Sequence, residues 1–131
     1  MIHYIENEPT SVKAIADLRR SVGWNGVEDL LNNPLITSYY HIACYDGGKL
    51  VGYVDTTSNG VTDAYIQDLM VDPSYQGQGI GTELMNRIIA RLRENRIYMI
   101  SVIFEEKLLS FYERFGFFPM LAGQMQTYDA D

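Results

Sequence analysis

Gln76-Gly77-Gln78-Gly79-Ile80-Gly81 stands between two stretches of different periodicity. Before it, Asp63 to Val71 is rich in β-formers, and Asp72-Pro73 ends the run. After it, Ile80, Leu84, Ile88 and Leu92 recur every fourth residue, with Met85 and Ile89 widening the stripe. That spacing predicts a long amphipathic helix. Ile97 to Phe104 is then a near-continuous apolar run, as expected of a strand buried on both faces. Strand, helix and strand in this order make a crossover unit, and its two strands are expected to be parallel neighbours.

Working outward, Ile2 to Ile5 reads as a first strand. Thr10 or Ser11 can cap a helix through about Arg20, with Val12, Ile15, Ala16 and Leu18 as its apolar stripe. Val22-Gly23-Trp24-Asn25-Gly26 breaks it, and a short second helix, Val27 to Asn32, stops before Pro34. Ser38 to Tyr45 and Lys49 to Thr57 are strand candidates joined by the turn Asp46-Gly47-Gly48, and Asn59-Gly60 marks another turn. Lys107 to Phe115 forms a last helix ending at Gly116, and Phe117 to Tyr128 is expected to supply one or two closing strands. The architecture is α/β, an α+β mixed sheet flanked by about four helices, in one domain spanning 1–131.

The composition narrows the function. At 47% hydrophobic and 21% charged, the 131 residues are those of an ordinary globular chain. No apolar run reaches the roughly 20 residues of a bilayer span, so no membrane association is expected. Met1-Ile2-His3-Tyr4-Ile5-Glu6 lacks the basic start and apolar stretch of a secretion signal, which makes cytoplasmic the expected location. Cys44 is the only cysteine, and His3 and His41 stand far apart, so no metal site is expected. A formal charge of −7 argues against nucleic acid as a partner. It suits a cationic substrate, or it serves only solubility. Arg87, Arg91, Arg93 and Arg96 follow the glycine segment; they offer a basic region to an anionic ligand or simply face water.

Glycines between a strand and a helix let the backbone approach an anion, and the helix N-terminus presents unpaired amides. Gly77, Gly79 and Gly81 therefore predict a phosphate site. The Walker loop does not fit, because no lysine followed by serine or threonine comes after the second glycine. The dinucleotide fingerprint fails as well: counted from Gly77 its third glycine is Thr82, and no acidic residue lies in Ile97 to Ser101.

The run Ile66 to Met85, with Val71-Asp72-Pro73 before Gln76, Gly79 and Gly81, resembles the central motif of the GNAT superfamily of acetyl-CoA-dependent N-acetyltransferases. Leu109-Ser110-Phe111-Tyr112-Glu113-Arg114-Phe115-Gly116-Phe117 resembles its second motif of tyrosine, basic residue and Gly-Phe. The resemblance implies that the backbone of Gln76, Gly77, Gln78, Gly79, Ile80, Gly81 and Thr82 holds the pyrophosphate of acetyl-CoA. It assigns the pantetheine arm to backbone groups of Leu69, Met70 and Val71 on a strand that splays from its neighbour. It casts Tyr112 as the general acid that protonates the departing thiolate, against the alternative of a core aromatic.

The chain departs from the family at Glu105, where many relatives have an asparagine, and at Ile100, where some place a glutamate base. Asp68 and Asp63 are the remaining candidates for the base, acting through water. Cys44 lies among Tyr40, Ile42 and Tyr45 and is not expected to form an acyl-enzyme. Arg20, Trp24, Tyr39 and Tyr53 are candidate lining residues for the acceptor. The activity implied is direct acetyl transfer to a primary amine in a ternary complex; the alternative is a non-catalytic coenzyme A-binding module of the same fold. Relatives are often homodimers, and Met120 to Tyr128 is apolar enough for a strand-mediated contact; a monomer is the other possibility.

Overall fold

A computed structural model describes residues 1–127. In chain order the elements are β1 (Ile2–Glu6), α1 (Val12–Ser21), α2 (Glu28–Leu31), β2 (Ile42–Asp46), β3 (Lys49–Ser58), β4 (Asp63–Val71), α3 (Ile80–Glu94), β5 (Met99–Val102) and α4 (Leu109–Glu113). The strands form one sheet in the order β1-β2-β3-β4-β5. The first four are antiparallel, while β5, reached through α3, lies parallel to β4. The sheet is therefore mixed, as expected from a meander followed by one crossover.

Each face of the sheet carries one helical layer. Ser11 caps α1 by accepting from Ala14 N–H at 3.2 Å, and Ile15 and Leu18 bury against Ala43, Leu50, Tyr53 and Met70. On the other face α3 packs Ile80, Leu84, Met85, Ile88 and Leu92 over Ile42, Cys44, Val51, Val54 and Ile66. The approach is closest at Gly52, where an added Cβ would lie 2.9 Å from Ile80 Cγ2 and 3.1 Å from Leu84 Cδ1. Glycine on β3 thus sets how near α3 can lie.

Three sequence expectations need correction. β5 is not buried on both faces, for its side chains alternate between exposed and half-buried, with Met99 45% exposed. The reason is position: β5 is the last strand of the sheet, and α1 packs chiefly on β3 and β4. Ser38 to His41 does not join β2; Tyr39 N–H donates instead to Thr56 O (2.9 Å) and Tyr40 N–H to Thr56 Oγ1 (3.0 Å). Residues 117–127 form no strand, and Tyr128 lies outside the described residues. Pro119 has no N–H to give a ladder, and the segment runs instead beside a cleft that Gln124, Gln126 and Thr127 help to line.

Candidate active site

The register of β4 creates the site. Tyr53 pairs with Met70 and Asp55 with Gln67, so Val54 faces two residues, Asp68 and Leu69. This is a β-bulge, and Asp68 sits at its turning point with φ of 56°, a left-handed conformation that aspartate tolerates better than most residues. The extra residue shifts the alternation of the strand. Ala64 and Ile66 face α3 before the bulge, and Leu69 and Val71 do so after it.

Parallel pairing with β5 stops just before this point, at Ile66 and Val102. Beyond it the two strands part, and a cleft of about 890 Å³ opens between Tyr65–Leu69 on one side and Val102–Glu105 on the other. Asp72 N–H donates to Val51 O at 2.8 Å, toward β3. By strand alternation the backbone groups of Met70 also face β3, whereas those of Leu69 and Val71 face the open side. Met70 thus departs from the expectation for this strand: its amide and carbonyl point to β3, and its side chain is buried under α1.

The glycine loop follows. A 3₁₀ turn, Pro73–Tyr75, is capped by Asp72, which accepts from Ser74 N–H at 2.8 Å. Tyr75 anchors the turn by donating to Asp46 Oδ2 at 2.6 Å, and Gln76 Nε2 donates to Val71 O at 3.0 Å. Gln76 thereby ties the loop to the end of β4 with its side chain. Gly77 and Gly79 have φ of 81° and 86°, and a Cβ on either would project into open space. Gly81 has an ordinary φ, and a Cβ there would meet Phe111 and Val71 at 3.7 Å.

Glu83 N–H bonds to Gly79 O at 3.0 Å at the start of α3. The amides of Ile80, Gly81 and Thr82 precede it, with the positive end of a 15-residue helix behind them. Two left-handed glycines with free space above them, followed by such a helix start, fit a diphosphate.

Tyr112 enters the cleft from α4. It is only 6% exposed, stacked on Phe104 at 4.5 Å and edge-on to Phe111 at 5.0 Å. It is a core aromatic, and it also lines the cleft. Burial pushes its phenol above the usual value, so the proton stays on at neutral pH. Among the described residues nothing pairs with its hydroxyl.

The opposite wall comes from α1 and the segment after it. Arg19 Nη1 donates to Asp68 Oδ1 at 3.2 Å and its Nε to Asn25 O at 2.6 Å, while its guanidinium lies 5.4 Å from the centre of the Trp24 ring. Arg19 follows Ile15 by four and so shares its inward face; that spacing marks it in the sequence, where Arg20 was named instead. Arg20 turns outward to Glu28 at 2.8 Å. Of the other expected lining residues, Trp24 lines the cleft, Tyr53 is buried beneath α1, and the Tyr39 hydroxyl accepts from Asn95 on the α3 side.

The remaining candidates sort readily. Asp63 starts β4 opposite Met99, at the end remote from the bulge, and does not line the cleft. Glu105 does line it and pairs with Lys107 at 3.2 Å, whereas Ile100 packs on the α3 core. Asp55, unnoticed in the sequence, faces Gln67 across the bulge. Burial raises its carboxyl against the opposing effect of Ser38 Oγ (2.5 Å) and Thr56 N–H (2.7 Å). Cys44 is fully buried and its thiol raised by burial, which leaves it no access to an acyl donor. Arg87 is held by Glu83 (2.7 Å) and Glu6 (3.0 Å), and Arg91 lies over Tyr40; both sit along α3, past the loop.

Among the described residues no group of three or more histidine, cysteine, aspartate or glutamate side chains could hold a metal ion, and no helix is long and apolar enough to cross a membrane.

Comparison with known proteins agrees with this geometry. The profile of the Acetyltransferase (GNAT) family matches residues 6–117. The uncharacterized N-acetyltransferase ycf52 of Pyropia yezoensis is 30% identical over 121 residues, covering 88% of this chain and 70% of that one. GCN5-related N-acetyltransferase 2, chloroplastic, of Arabidopsis thaliana is 38% identical over 69 residues, 53% of this chain, so the match spans only 27% of that longer protein. A probable acetyltransferase from meticillin-resistant Staphylococcus aureus superposes with a TM-score of 0.87 at 25% identity, over 98% of this chain and 100% of the other. On this match of motif, sheet and cleft, the chain belongs to the GNAT acetyltransferase family.

Proposed function

We propose that this chain is an N-acetyltransferase that moves an acetyl group from acetyl-CoA to a primary amine by direct attack in a ternary complex. The observation that supports the reading is the parting of β4 and β5, which opens a cleft lined by Tyr112 and by Leu69, the latter on the strand that runs on into the glycine loop. Amides from Gly77 to Thr82 and the α3 dipole hold the pyrophosphate. Leu69 with its outward amide and carbonyl, and Val71 with its amide, face the pantetheine arm as a neighbouring strand would; the Val71 carbonyl already accepts from Gln76. An amide of this strand also polarises the thioester carbonyl as the amine attacks.

Tyr112 gives its proton to the thiolate that leaves, a transfer its protonated state and desolvated position both suit. Asp68, turned by the bulge toward the cleft, takes the amine proton through water. The acceptor enters past Trp24 and Asn25. Chains of this kind can pair through the 120–128 segment, whose Met120 and Leu121 are exposed, and we extend the proposal to a homodimer.

A second reading, coenzyme A binding without catalysis, draws on one observation. Among the described residues, both acidic side chains that line the cleft are ion-paired, Asp68 with Arg19 and Glu105 with Lys107. One experiment separates the two. Thiol release from acetyl-CoA is followed with polyamines, aminoglycosides, arylalkylamines, amino acids and peptides, beside calorimetry of coenzyme A. The enzyme reading expects turnover with at least one class and a loss of roughly 10²-fold or more in kcat for Tyr112→Phe. Unchanged turnover in that variant would remove the acid role. Binding with no turnover would leave the module, and no binding would end both.

A further inference from the structure

We infer that Arg114 is the cation that grips the pyrophosphate of coenzyme A, an assignment that rests on the reading of the Gln76–Thr82 loop given above. The chain carries net negative charge, so an anionic ligand needs local cations. Most of its basic side chains are committed elsewhere: Lys13 to Asp17, Arg19 to Asp68, Lys49 to Asp72, Arg87 to Glu6 and Glu83, Arg91 to Glu94, and Lys107 to Glu105. Arg20 pairs with Glu28. Among the described residues only Arg93, Arg96 and Arg114 lack a carboxylate partner. Arg93 is in the last turn of α3 and Arg96 just beyond it, at the negative end of the helix.

Arg114 is at the other end. Its Nη2 donates to Thr82 Oγ1 at 3.0 Å, in the first turn of α3. Its guanidinium lies 4.9 Å from the Phe111 ring centre and 5.6 Å from that of Phe115, which hold it against that turn. Phe111 in turn borders the space above Gly81, at 3.7 Å from where a Cβ would be. A planar fork is thus fixed beside the free amides by two rings and one hydroxyl, with N–H groups left over. Guanidinium suits this place because it can take two phosphate oxygens at once.

Contact with Thr82 puts the charge at the pyrophosphate, and the 3′-phosphate is not required for it. The test is calorimetry of coenzyme A and of 3′-dephospho-coenzyme A with wild type, Arg114→Met and Arg114→Lys. Methionine keeps an apolar stem on the two rings without the charge, so folding is preserved. Acetyl transfer from S-acetylpantetheine, which has no phosphate, is measured in parallel. Arg114→Met is expected to weaken both nucleotides by the same factor, about tenfold or more, with a shallower salt dependence. Arg114→Lys recovers part of the loss, and the neutral donor is used equally by all three proteins.

Three results would overturn the assignment: unchanged affinity, a loss confined to coenzyme A, or an equal loss with S-acetylpantetheine. The second would move the contact to the 3′-phosphate and the third would make Arg114 a packing residue. Should wild type bind neither nucleotide, the loop reading itself falls, and this inference with it.

Discussion

Arg19 on α1 and Asp68 on β4, 49 residues apart, meet at 3.2 Å across the floor of the cleft. The pair joins α1, on one wall of the cleft, to the bulge of β4. Neither side chain is fully buried, at 17% and 32% exposed, so its net worth is smaller than a dry ion pair's. Its effect is geometric. One guanidinium fixes the carboxylate, the Asn25 carbonyl and the face of Trp24 together.

A double-mutant cycle with Arg19→Met and Asp68→Asn reads this coupling. Each single change is expected to raise the KM for the amine, and the double change to cost less than the sum, by about 0.5–3 kcal/mol of coupling in kcat/KM. Additive losses would show that the two residues act independently.

Gly52 predicts a purely structural effect. Alanine there must push Ile80, Leu84 or Cys44 aside, since its Cβ would lie 2.9–3.2 Å from each. Urea unfolding of Gly52→Ala should show a loss of about 1–3 kcal/mol, the usual range for overpacking a tight core. Because Ile80 begins α3, the affinity for coenzyme A should fall as well. A variant as stable as wild type would mean that α3 can slide on the sheet.

Alkaline stability follows from buried protons. Burial raises the phenols of Tyr53 and Tyr112, holds that of Tyr4 up at about 12, and raises the Cys44 thiol. The native state keeps these protons when the unfolded chain has released them, from about pH 9 for the thiol and pH 10 for the phenols. Above those values the unfolded chain binds fewer protons, so stability must fall with pH. Urea midpoints should be level to about pH 9 and decline steadily toward pH 12, less steeply in Tyr4→Phe. A level profile through that range would contradict the burial of these groups.

Much of the frame was readable from periodicity. The four-residue recurrence of Ile80, Leu84, Ile88 and Leu92 marks the buried face of α3, all of it within the core. The bulge was not readable, because Asp68 looks like any strand residue until its register with Tyr53 and Asp55 is known. Hydrophobicity misled at β5, where Ile100 and Val102 pack on the α3 core while Met99, at the strand's start, is exposed. The glycine loop was legible because left-handed backbone leaves a mark in residue type at Gly77 and Gly79. Arg114 was visible only as the basic residue of the second motif, with no sign of what it would touch. Its place depends on two phenylalanines and a threonine 32 residues away.

Bare strand edges are sites where proteins stick to one another, and the outward amides of Leu69 and Val71 form such an edge. Here it lies inside the sheet instead of at its rim, in a notch that narrows to the Ile66–Val102 pair. A slender single chain fits the notch, while another folded sheet does not. The fold can therefore keep a template for strand pairing permanently on offer without the risk of aggregation that an outer edge would bring.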